Sequence, residues 1–160
     1  MLTVNIICVG NLKEKYLKDA VDEYKKRLSA FCKFEIIEIA EQRLSDKPSE
    51  SEINSALEKE AEKIMQKVPK SSAVIPMAIE GKQLSSEKLA DTVSDFALKG
   101  FSSISFIIGS SFGLSQNIKS KANLLLSMSK MTFPHQLARV MLCEQIYRAF
   151  SIINHTKYHK

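Results

Sequence analysis

Residues 3–28, TVNIICVGNLKEKYLKDAVDEYKKRL, carry the pattern that decides the fold. The first seven are apolar, rich in β-branched side chains, and stop at Gly10, as a buried strand does. Leu17, Ala20, Val21, Tyr24 and Leu28 then recur at helical spacing. The same alternation continues outward from this unit. A second strand is predicted over 34–39. An amphipathic helix follows, marked by Ile53, Leu57, Ala61, Ile64 and Val68, its other face rich in Glu and Lys. A third strand covers 72–79 and ends near Gly81. Leu89, Val93, Phe96 and Ala97 mark a helix that stops at Gly100. A fourth strand, 104–108, runs straight into Gly109. A short helix around 115–120, a fifth strand near 124–126 and a last helix over about 134–153 complete the chain. Strands alternating with helices predict an α/β single domain: a mainly parallel sheet covered by helices on both faces. Only residues 43–51, RLSDKPSES, read as a flexible loop, and they are too few to separate domains.

Composition narrows the class. The 160 residues are enough for one buried core, and 44% hydrophobic with 26% charged is ordinary for a soluble globular protein. No apolar run approaches the roughly 20 residues that span a bilayer, so no membrane partner is expected. The opening MLTVNIICVG lacks a basic leader and reads as a strand, which points to the cytoplasm. Cys8, Cys32 and Cys143 lie far apart in apolar surroundings, a spacing that fits buried thiols and neither a disulfide framework nor a zinc site. The net charge of +5 is unevenly placed. Residues 1–120 carry 17 basic and 17 acidic side chains, whereas 121–160 carry six basic residues against Glu144 alone. Such a region attracts a polyanion, though six charges over forty residues also fit plain surface composition. The lysines of the first helix are interleaved with acids and read as a solvated face.

In an open parallel sheet, ligands bind beyond the carboxyl ends of the strands. Three segments fall there: 77–82, 108–113 and 128–135. Gly109 permits either a sharp turn or a close ligand approach. IGSSFG is neither GxGxxG nor a phosphate loop with its Lys-Ser/Thr, which disfavours ordinary dinucleotide and nucleoside-triphosphate sites. Met128, Met131 and Phe133 can wall an adenine or simply fill the core, and Pro134 suits the first turn of a helix. Arg139 falls on the same helical side as Leu142, Cys143, Ile146 and Phe150, so it needs either an ion-pair partner or an anionic ligand. Glu144 and Arg148 have the spacing of a helix-surface pair. Tyr158 could stack on a base and His159 could titrate near neutral pH, or both could be a plain terminus. His155 and His159 have no third ligand nearby in sequence, so no metal site is expected.

VGNLKEKY at 9–16, EGKQLSSE at 80–87, IGSSFG at 108–113, SKMTFPHQLARVMLCEQIYRAF at 129–150 and YHK at 158–160 together resemble one family. It is the bacterial ribosomal large-subunit RNA pseudouridine N3-methyltransferase family of the SPOUT superfamily, and the resemblance covers essentially the whole chain. It implies one SPOUT domain over 1–160, with a trefoil knot within about 72–160 that binds S-adenosyl-L-methionine (SAM). The residues that match the cofactor site are Met77, Gly109, Met128, Ser129, Lys130, Met131, Thr132 and Phe133. A homodimer is implied, with the last helix at its interface and the substrate site shared, acting on ribosomal RNA within the ribosome. Tyr158 and His159 match the tail associated with substrate methylation. With Arg139 they are the candidate catalytic residues, Arg139 and His159 being placed to aid loss of the N3 proton. A SPOUT enzyme methylating another RNA, and a non-catalytic ribosome-binding or assembly factor, remain alternatives. Two positions depart from the family pattern: Ser110 stands where a second glycine is common, and Pro76 precedes Met77.

Overall fold

The computed structural model describes residues 1–160. Its elements alternate as expected: β1 (Thr3–Val9), α1 (Lys15–Leu28), β2 (Lys33–Ile39), α2 (Glu50–Lys67), β3 (Ser72–Gln83), α3 (Ser86–Leu98), β4 (Ser103–Ile108), α4 (Gln116–Ser120), β5 (Leu126–Ser127) and α5 (His135–Ile153). The strands form one parallel sheet in the order β2-β1-β4-β3-β5. Helices α1, α3 and α5 cover one face, and α2 and α4 the other. β1 shows why the strands read as unbroken apolar runs. Val4, Ile6 and Cys8 point into the larger core under α1, α3 and α5, while Ile7 and Val9 meet Ala61, Ile64 and Ile118 on the opposite side.

Four local features differ from the sequence expectation, each for a physical reason. Helix α2 begins inside the stretch read as loop, because Ser49 and Glu52 form a reciprocal capping box that starts the helix at Glu50. Strand β3 runs on to Gln83 because it changes neighbours. Pro76, which has no N–H to donate, is its last residue paired with β4, and from Met77 it pairs with β5. Met77 and Lys82 both stand opposite Leu126, so the intervening residues bulge. Strand β5 is shorter and later than expected. The Asn123 side-chain oxygen accepts the Val74 N–H at 2.8 Å and the Asn123 backbone N–H donates back to the Val74 carbonyl at 2.8 Å, a clamp in place of a ladder. Pro134 is the extended N-cap residue of α5, one position before the first turn.

All three cysteines are free and buried. Burial pushes Cys8 and Cys32 up to about 11 and Cys143 up to about 12, so the thiols stay protonated at neutral pH. No helix is long and apolar enough to cross a membrane.

Candidate active site

A crevice of about 730 Å³ opens beyond the carboxyl ends of β3, β4 and β5. That is within the roughly 300–1,000 Å³ of small-molecule sites. Its walls are residues 77–80, 108–114 and 127–135 apart from Lys130, closed on one side by Ala138 and Leu142 of α5. The three segments expected from the sequence thus converge. Met77, Gly109, Met128, Ser129, Met131, Thr132 and Phe133 all line the crevice. Lys130 does not: Met131 N–H donates to Ser129 Oγ at 3.0 Å, and this turn leaves Lys130 exposed on the outside. Half of the lining is hydrophobic. At its polar edge Lys119 Nζ meets Glu80 at 2.6 Å and holds that carboxyl below its ordinary range.

The loop after β4 is folded tightly on itself. Gly113 N–H donates to the Ser110 carbonyl at 2.9 Å, and Gly113 has φ +86°. A Cβ at Gly109 would sit 2.2 Å from the Gly113 carbonyl oxygen, so only glycine fits there. Beneath the loop, on the α2 side, lies a residue that the sequence reading passed over. Glu60 is only 3% exposed and accepts the Gln42 N–H at 2.8 Å. Burial raises its carboxyl, while the Gln42 hydrogen bond and the nearby Lys63 charge pull the other way. Its signal was present in the spacing, since it stands four residues from both Ala56 and Ile64, which are buried on the same face.

Arg139 resolves as an ion pair. It is 2% exposed, with Nη1 2.7 Å from Glu38 Oε2 and Nη2 donating to the Gly10 carbonyl at 3.1 Å. Both partners lie at the ends of β2 and β1, so the guanidinium turns away from the crevice that its helix neighbours Ala138 and Leu142 line. A direct catalytic contact from Arg139 is therefore not what this geometry provides.

Tyr158 and His159 are also outside the crevice walls, because the tail is docked on its own chain. Tyr158 donates to Glu144 Oε2 at 2.8 Å, Tyr24 donates to the same oxygen at 2.6 Å, and Arg148 holds Glu144 Oε1 at 2.6 Å. The expected Glu144–Arg148 pair is thus the hub of a larger network. Burial opposes the Glu144 charge, but the two hydroxyls and Arg148 outweigh it and lower its pKa. The same contacts, after burial itself, raise Tyr24 and Tyr158. The Tyr158 ring lies 4.7 Å from that of Tyr147 and 4.7 Å from the Arg148 guanidinium. His159 Nδ1 is 3.2 Å from Arg148 Nη1, and its Nε2 is 2.8 Å from Glu87. Arginine can only donate, so this network assigns an accepting Nδ1 and an Nε2–H that donates to Glu87.

Of the six basic residues in 121–160, Arg139 and Arg148 are consumed by internal pairs. Lys121, Lys130, Lys157 and Lys160 are exposed and lie in no ion pair. No group of three His, Cys, Asp or Glu side chains converges in a way that could hold a metal ion.

Comparison with known proteins places this arrangement. A Streptococcus uberis protein named "Ribosomal RNA large subunit methyltransferase H" is 50% identical over 99% of this chain and 100% of its own length. One of the same name from Streptococcus equi subsp. zooepidemicus is 49% identical over the same shares. Among solved structures, Lpg2936 of Legionella pneumophila, determined in complex with SAM, matches 95% of this chain and 66% of its own. Its TM-score of 0.49 and 10% identity are too distant to argue from. The family described as "Predicted SPOUT methyltransferase" matches residues 2–159. By that match and by its full-length relatives, the chain belongs to the SPOUT methyltransferase family.

Proposed function

We propose that the chain transfers the methyl group of SAM to N3 of a pseudouridine in large-subunit (23S) ribosomal RNA. It acts as a cytoplasmic homodimer on the ribosome. The observation that carries this reading is the half-identity, along both full lengths, to proteins named for large-subunit ribosomal RNA methylation. The crevice supports it. Met77, Met128, Met131 and Phe133 offer apolar walls, and Gly109, whose missing Cβ lets the Gly113 carbonyl close the loop tightly, lines the crevice between them. Ser129 and Thr132 add polar edges, and Lys130, exposed on the outside of the same turn, adds a positive charge nearby.

SAM brings a methyl group already activated by its positive sulfur, so the protein's main task is to position the acceptor. N3 attacks more readily once its proton is lost, and the docked tail offers the groups to assist. Tyr158 and His159 would meet a base at the crevice of a partner subunit. A groove of about 610 Å³ between α3 and α5, with Leu89, Val140 and Met141 in its lining, is where a second copy would seat. Arg139 acts one step removed, fixing the start of α5 and hence the loop over 128–134. The trefoil knot of the family would lie where 77–83 nests against 125–127. There a Cβ at Gly81 would be 2.8 Å from the Leu125 oxygen.

The test is methyl transfer from labelled SAM to ribosomes and to naked ribosomal RNA, both from cells lacking this protein, followed by nucleoside mass analysis. The expected product is one methylated pseudouridine formed on ribosomes. SAM binding without transfer to any RNA would leave a binding factor, and label on transfer RNA would move the substrate.

A further inference from the structure

SAM ends in an amino-acid arm that carries one ammonium and one carboxylate. A crevice that holds it must meet both charges or leave them to water. Among the side chains that line the crevice, the only Asp, Glu, Lys or Arg are Glu80 and Lys119, one of each sign. They come from different elements and are fixed by different means. Glu80 lies in the bulge of β3 between Met77 and Lys82, where the register shifts and a side chain can be re-aimed. The Lys82 N–H donates to the Leu125 carbonyl at 2.8 Å and pins the far side of that bulge. Lys119 lies on α4 beside the fully buried Ile118, whose N–H donates to the Ser115 hydroxyl at 3.2 Å. Lys119 Nζ and Glu80 Oε1 meet at 2.6 Å. That contact uses one oxygen of the carboxylate and one of the three ammonium N–H groups. The second oxygen and the other N–H groups can serve a ligand without breaking the bridge. The Lys119 side chain is 20% exposed and that of Glu80 58%, so the lysine is the more enclosed of the two.

We propose that Lys119 and Glu80 select the amino-acid arm of SAM, the Lys119 ammonium meeting its carboxylate and the free oxygen of Glu80 meeting its ammonium. This deepens the SAM reading and rests on it. An α-amino acid carries its two charges on one carbon. A bridge whose charged atoms lie 2.6 Å apart presents the matching opposite signs at similarly close spacing. The apolar walls at Met77, Met128, Met131 and Phe133 are left to the uncharged part of the ligand. A nucleoside without the arm gains nothing from the pair.

The test is calorimetric titration of the wild type and of variants confirmed folded by circular dichroism. The ligands are SAM, S-adenosylhomocysteine (SAH) and 5′-methylthioadenosine (MTA). SAH and MTA share adenine, ribose and a neutral sulfur, and differ by the amino-acid arm. Lys119→Ala should weaken SAH binding roughly tenfold, and Glu80→Gln, at a more exposed site, roughly threefold. MTA affinity should stay within about twofold in both, because it has no arm to lose. The exchanged pair, Glu80→Lys with Lys119→Glu, keeps a bridge but reverses its charges. SAH binding should stay weak in it, which a purely structural bridge would not produce. Decarboxylated SAM lacks the carboxylate and should bind Lys119→Ala as well as it binds the wild type; it replaces MTA if MTA binds too weakly to titrate. Lys119→Met stands in if Lys119→Ala fails to fold. Unchanged SAH affinity, equal losses for SAH and MTA, or SAH binding restored by the exchanged pair each overturn the inference and leave the SAM reading standing. A wild type that binds neither SAM nor SAH overturns the SAM reading itself, and this proposal with it.

Discussion

Arg139 Nη1 lies 2.7 Å from Glu38 Oε2, and this contact ties the last helix to the edge strand β2 across a sequence separation of 101. The two partners are not equal. Arg139 is buried at 2% side-chain exposure, whereas Glu38 is 45% exposed and already half-solvated. Removing the acid strands a buried cation, while removing the base leaves an acid that water can serve. Glu38→Ala should therefore cost about 1–3 kcal/mol, less than a fully buried pair because Glu38 is half in water. Arg139→Met, which fills the space without charge, should cost less. Urea denaturation of both variants checks the order, and an Arg139→Met loss larger than that of Glu38→Ala would contradict it.

Gly109 should tolerate no side chain at all. Even the methyl of Gly109→Ala would lie 2.2 Å from the Gly113 carbonyl oxygen, so the loop must open to admit it. SAM affinity is expected to fall tenfold or more, the equivalent of at least ~1.4 kcal/mol. Calorimetry reads this directly, and the wild-type affinity in a folded Gly109→Ala protein would take this loop out of the cofactor site.

The hub at Glu144 makes a prediction about acid. Its folded pKa lies below the ordinary 4.5, so the unfolded chain binds the proton more readily. The stabilisation is present above about pH 4.5 and is lost as pH falls through the lower folded value. Wild-type Tm should drop steeply on acidification below pH 4.5, and Glu144→Gln should show a shallower drop from a lower neutral-pH starting point. Parallel curves would mean that the network contributes nothing to stability.

Glu60 has the opposite sign. Its folded pKa is raised by burial, so its favourable contribution belongs to the protonated form and is lost as pH rises through that raised value. At neutral pH the buried charge is a burden, and Glu60→Gln should match or exceed the wild type in denaturant midpoint. A clear loss of midpoint at pH 7 would show that the charge itself, and not an acceptor, is needed there.

RNA affinity should depend on the four unpaired lysines. Each phosphate deprived of its lysine partner is expected to flatten the slope of log K against log salt by ~0.7–0.9. Replacing Lys121, Lys130, Lys157 and Lys160 by alanine should weaken ribosomal RNA binding and reduce that slope. Filter binding across a salt series decides it, and an unchanged slope would put the RNA elsewhere on the surface.

How far the sequence could be read depended on whether a feature was local. Strand and helix periods lie within one segment, so β1, α1 and β4 were legible nearly to the residue. The crevice was legible because its walls follow strand ends, a place fixed by topology. What escaped was set by distant partners. The Asn123 clamp that shortens β5 needs Val74, and the exchange of neighbours along β3 needs both β4 and β5. The fate of Arg139 needed Glu38, and the docking of Tyr158 needed Tyr24 and Glu144, none of them close in the chain. Glu60 was hidden differently: an acid among many on a Glu- and Lys-rich helix looks solvated until its spacing from Ala56 and Ile64 is counted.

The burial of the three cysteines has a practical outcome for anyone handling this protein. With each sulfur enclosed and protonated at neutral pH, alkylating and oxidising reagents meet no accessible thiolate in the folded state. Cys8 sits on the central part of the sheet and Cys143 on the helix above it. The rate at which a maleimide labels them therefore clocks how often that helix lifts from the sheet, a built-in stopwatch that needs no engineered probe.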